Sequence, residues 1–70
     1  MTNSTASNIE TSIINSFNAA VANSENINND GSINWSYVDA DMCIELGSQF
    51  SCDYLGQCLN ILADQYMANQ

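Results

Sequence analysis

The sequence predicts a small all-α domain of three helices, and three observations carry that reading. Apolar residues recur at three- and four-residue spacing in three separate stretches, and each stretch opens on a serine of the kind that caps a helix. Hydrophobic residues make up 46% of the chain and include Trp35, three tyrosines and two phenylalanines, which is too much for a disordered segment. Seventy residues make a single domain, 1–70. A chain of that length buries only about 60% of the surface it exposes when unfolded, so the core must be thin and a homodimer would thicken it.

The first helix is expected over 7–23. Ser7-Asn8-Ile9-Glu10 has the S-x-x-E form of a capping box, and Ile9, Ile13, Phe17, Ala20 and Val21 then make one apolar stripe. Residues 1–6 are expected to be a flexible polar tail. Between the first two helices, 24–34 is Asn-rich around Asp30-Gly31, a tight-turn dipeptide flanked by Ile27 and Ile33, which gives a loop or a short hairpin.

The second helix is expected over 36–47, with Ser36-Tyr37-Val38-Asp39 as its cap, Trp35 just outside as a staple, and Gly47 as its stop. Trp35, Val38, Met42 and Leu46 share one face, while Tyr37, Asp41 and Ile44 share the other. The third helix is expected over 52–68, with Cys52, Leu55, Leu59, Leu62, Ala63 and Tyr66 as its core stripe and Tyr54 and Ile61 off it.

Charge narrows the function classes. The chain has no lysine, arginine or histidine, so its eight carboxylates give a net charge of −8 with no cationic side chain to offset them. Direct nucleic-acid binding needs cations to displace condensed counterions, and this chain lacks them. Anionic headgroups repel it, and no run approaches the roughly 20 apolar residues of a membrane span, so no membrane role and a cytoplasmic location in the producing or host cell are expected. No His or Lys can serve as base beside a Ser or Cys, so the chain reads as non-enzymatic, with Asp39 and Asp41 as solvated carboxylates near a helix N-terminus. Cys43, Cys52 and Cys58 are odd in number and lack C-x-x-C spacing, which suits buried reduced thiols in a reducing compartment.

Two resemblances follow from particular features. Asn26, Asn28, Asp30, Gly31, Ile33 and Asn34 fill loop positions one, three, five, six, eight and nine of a calcium loop, so residues 26–37 resemble a degenerate EF-hand or dockerin loop. That resemblance implies calcium held by Asn26, Asn28, Asp30 and Asn34, with Asn26 in place of the first Asp and Tyr37 where the bidentate carboxylate belongs. By size and sign of charge, the chain resembles the small phage-encoded inhibitors of the DNA-mimic class, such as anti-restriction and anti-CRISPR proteins. That second resemblance implies an inhibitor that occupies a basic, nucleic-acid-binding surface of a partner protein. The expected contact residues are Tyr37, Asp41, Ile44, Glu45, Tyr54 and Ile61, aromatic and aliphatic groups outside the core stripes set among acids. A calcium module and a homo-oligomeric structural protein are the alternatives.

Overall fold

Apolar spacing becomes three helices, α1 (Thr11–Ala22), α2 (Trp35–Leu46) and α3 (Cys52–Ala68), in a computed structural model that describes residues 9–69. The tail 1–6 and the Ser7 cap lie outside the described residues. Glu10 has extended backbone (φ −58°, ψ 144°), so α1 starts at Thr11 and not at Ser7. The cause is Ile9, which is already buried in the core one residue before the chain can turn helical. Glu10 is therefore the N-cap itself; it makes no side-chain cap, and its carbonyl accepts from the Ile13 and Ile14 amides at 3.0 and 3.1 Å. Ile13, Phe17 and Ala20 then bury along one stripe, with Ser16 buried among them.

The Asn-rich segment is both a turn and a hairpin. The Asn23 side chain accepts from the Glu25 amide at 3.0 Å and opens a short 3-10 turn over Ser24–Asn26. Ile27 and Ile33 then pair as a single antiparallel bridge. The tip is closed by Gly31 N–H to the Asn28 carbonyl (2.9 Å) and Asn28 N–H to the Ser32 carbonyl (2.8 Å). Gly31 sits at φ +90°, a conformation that costs a side-chain-bearing residue but not glycine.

This hairpin sets the start of α2. The Asn34 amide donates to the Asn26 carbonyl at 2.8 Å, which holds Asn34 extended (φ −86°, ψ 92°) in the geometry an N-cap requires. Its Oδ1 accepts from the Tyr37 amide at 3.3 Å. The cap is thus Asn34 and not Ser36, and Trp35 is the first helical residue instead of lying outside. Val38, Met42 and Leu46 bury along α2.

The helix ends at Gly47, but in right-handed backbone (φ −64°) that any residue can adopt. Its glycine is needed for space, because a Cβ there would run into the Cys43 carbonyl that the Gly47 amide already bonds at 2.8 Å. Gly47→Ala is expected to lower the urea midpoint, at a cost of about 1–3 kcal/mol for the forced overlap. An unchanged midpoint would mean that the turn shifts without penalty.

α3 begins on Ser51, whose Oγ accepts from the Tyr54 amide at 3.1 Å. Its buried residues are Leu55, Cys58, Leu59 and Leu62. Cys58, not Cys52, belongs to the stripe, because Cys52 is the first residue of the helix at the rim of the connecting turn and is exposed. Where α1, the start of α2 and the end of α3 meet, three aromatic rings close the core. Phe17 stacks on Trp35 (centroids 6.2 Å, planes 9° apart), and Tyr66 stands edge-on to both at 6.1 and 6.0 Å. No described helix is long and apolar enough to cross a membrane.

Candidate functional site

The α2 helix has too many large groups for one core. Val38 and Met42 are fully buried on its inner face, whereas Ile44 is 83% and Tyr37 56% exposed on its outer face. An aliphatic group so exposed costs about 25 cal/mol per Å² left in water, so its natural destination is another surface.

Beside this face runs a groove of about 220 Å³ between α1 and α2, lined by Ser16, Ala19, Ala20, Asn23, Asp41 and Glu45. Both carboxylates of the groove are held by buried neutral donors. Ser16 Oγ donates to Glu45 Oε1 at 2.9 Å. Asn26 Nδ2 donates to Asp41 Oδ2 at 2.8 Å and also to the Ala20 carbonyl at 2.9 Å. These bonds come from neutral donors and fix the position of two acids one helical turn apart, so the groove presents both carboxylates to an incoming cation.

Of the six expected contact residues, the structure brings four together on α2: Tyr37, Asp41, Ile44 and Glu45. Asp41 lies at the edge of that face, half-buried by its bond to Asn26. Tyr54 is 41% exposed but stands at the start of α3, against Phe50 with ring centroids 5.8 Å apart. That end of α3 adjoins the end of α2, whereas Tyr37 lies in the first turn of α2. A hydrogen bond with Cys58 and the charge of Glu10 raise the Tyr54 hydroxyl above its ordinary pKa, so the phenol stays neutral. Ile61 is not a spare surface group. It is half-buried and packs against the core, because the buried stripe of α3 runs through Cys58, three residues before it.

The calcium-loop side chains do not converge. Asn26, in the first ligand position, is buried and turned inward to Ala20 and Asp41. Asn34 caps α2. Only Asn28 and Asp30 meet, and both meet on Ser32: Asn28 Nδ2 donates to Ser32 Oγ at 2.9 Å, while Asp30 Oδ1 accepts from the Ser32 amide and hydroxyl at 3.0 and 2.6 Å. These two bonds lower the Asp30 carboxyl below its ordinary value of 3.8. Being depressed in the folded chain, it contributes to the turn above that value and loses the contribution as pH falls through the lowered one. Among the described residues, no three Cys, Asp or Glu side chains are placed to hold a metal ion.

Asp39 departs from the solvated role expected of it. Its Oδ1 is buried with no hydrogen-bond partner, turned towards α3, where a Cβ on Gly56 would lie 3.9 Å away. Sequence reasoning also missed Ser16 as a donor behind the groove and took Asn26, the other donor, for a calcium ligand. Ser16 had a signal, since it falls three residues after Ile13 within the apolar stripe of α1; Asn26 had none, since no helical period reaches it. No family model, curated protein or solved structure matches this chain.

Proposed function

We propose that this chain is a non-enzymatic acidic interaction protein that occupies a basic, nucleic-acid-binding surface of a partner protein and thereby inhibits it. The observation that carries the reading is the outer face of α2, where exposed Ile44 and Tyr37 flank Asp41 and Glu45 in a chain with no cationic side chain. Apolar anchors give such a contact its hold, and uncompensated acids give it speed and selectivity for a basic partner. The contact is local capture of an Arg- or Lys-bearing patch, not imitation of a long duplex. Eight carboxylates serve a body 35 Å in its longest extent, whereas duplex DNA presents about 20 charges over that length.

The test is capture from a nuclease-treated lysate at low and high salt, beside a Tyr37→Ser/Ile44→Ser variant. Nucleic-acid-binding proteins should be retained at low salt and lost as the charges are screened, within about 8 Å at physiological ionic strength. The double variant should fold normally, each change costing within about 0.5 kcal/mol as exposed positions do, yet capture far less. Capture that ignores salt, or is equal for both chains, would sink the reading. Self-association that disappears in the double variant, seen by sedimentation, would point instead to a homo-oligomer.

A further inference from the structure

The register of the α2–α3 hairpin sets Cys43 against Cys52, and we infer that they form a modification site, an intramolecular disulfide made by hydrogen peroxide that closes the hairpin at its turn. The pairing follows from helix geometry. A five-residue connection, 47–51, makes α2 and α3 antiparallel neighbours. Asp39 on α2 packs against Gly56 on α3. One turn onward in α2 is Cys43 and one turn back in α3 is Cys52, and in antiparallel helices those steps stay on the same facing surfaces. In keeping with that placement, the neighbouring Cys52 raises the pKa of the Cys43 thiol.

The partners differ in a way that orders the chemistry. Cys52 is exposed, Cys43 is half-buried, and Cys58 is buried in the core away from solvent. The exposed Cys52 therefore meets the oxidant first, while interaction with Cys52, burial and the charge of Asp39 push the half-buried Cys43 thiol up to about 11. Cys52 attacks one peroxide oxygen as its thiolate; the O–O bond breaks, hydroxide leaves and takes up the thiol proton as water, and Cys52 becomes a sulfenic acid. The Cys43 sulfur then attacks the sulfenic sulfur, an S–S bond forms, the S–O bond breaks, and the departing hydroxide leaves as a second water with the Cys43 proton. Two thiols have then given two electrons to one peroxide. A net charge of −8 repels anionic disulfides such as oxidised glutathione, which is why a neutral oxidant is the fitting one.

The sequence supplies a clean assay. Glu45 lies between Cys43 and Cys52, so a Glu-specific protease separates the two cysteines unless a disulfide joins their fragments. The full chain treated with hydrogen peroxide should lose two hydrogens by intact mass and yield fragments that stay joined until dithiothreitol is added. Cys58→Ser should leave the link in place, and Cys52→Ser should abolish it. The linked chain should also melt above the reduced one by more than about 5 °C, since a short closed loop restricts the unfolded state. A link from Cys43 to Cys58, dimers joined through Cys52, peroxide converting Cys52 to sulfinic acid with no link, or a linked chain that melts at or below the reduced one would each overturn the proposal.

Discussion

Asn26→Asp should be the most damaging single change to this fold that alters no apolar residue. The Asn26 amide is buried at 3% exposure and donates to two acceptors, the Ala20 carbonyl at 2.9 Å and Asp41 Oδ2 at 2.8 Å. A carboxylate there would lose both donations and set one negative oxygen against another negative oxygen and a carbonyl. Each acceptor left without its donor costs about 1–3 kcal/mol, and like charge adds to that, so the loss should be at least about 3 kcal/mol. A 70-residue domain holds about 4–10 kcal/mol in total, so the variant should be partly unfolded at neutral pH.

The same change has a pH signature. In the folded variant the introduced carboxyl shares its site with Asp41 and holds its proton to higher pH than it does in the unfolded chain. The folded state then binds more protons, so the variant should regain stability as pH falls from about 7 towards 5 and lose it as pH rises. Adding Asp41→Asn reverses donor and acceptor and should recover a large part of the loss. Urea melts across pH would read both effects. Calcium should not rescue Asn26→Asp, although that substitution supplies the first ligand of an EF-hand loop. A calcium-dependent rise in midpoint would show that the side chain turns into the loop after all.

What was legible in the sequence was what repeats. The inner stripe of α2 comes out at the residues its 3.6-residue spacing names, and α3 spans its expected 52–68, because in both cases burial of a continuous apolar stripe decides the outcome. What was not legible was decided by single tertiary contacts. The start of α1 slid from Ser7 to Thr11 because Ile9 is taken into the core before the helix begins. The cap of α2 moved to Asn34 because a hairpin bond to Asn26 holds that residue extended. Choosing Cys52 over Cys58 rotated the expected stripe of α3, and that error made Ile61 look like a surface group. On α2, alternating exposure made Tyr37 and Ile44 readable, whereas the two donors that hold the groove acids came from α1 and the 3-10 turn, at distances in sequence that no local pattern encodes.

Trp35→Ala should cost about 3 kcal/mol, although its side chain is only half-buried. The indole lies flat on Phe17 of α1 and edge-on to Tyr66 of α3, so truncation opens the one place where all three helices share an aromatic contact. Trp35→Phe keeps a ring against both neighbours and should cost less than half as much. Because Trp35 is the sole tryptophan, unfolding of these variants must be followed by circular dichroism instead of fluorescence. A loss below about 1 kcal/mol for the alanine variant would show that the rings touch without holding the helices. The site also couples to Asn26: that residue's carbonyl fixes Asn34, Asn34 caps α2, and Trp35 is the helix's first residue. Asn26→Ala leaves that carbonyl in place but removes the side-chain bonds to Ala20 and Asp41 that anchor it, so both truncations loosen the same joint between α1 and α2. Asn26→Ala combined with Trp35→Ala should therefore cost clearly less than the two single losses added, by at least about 0.5 kcal/mol. Strict additivity would mean that the hairpin and the aromatic cluster hold α2 independently.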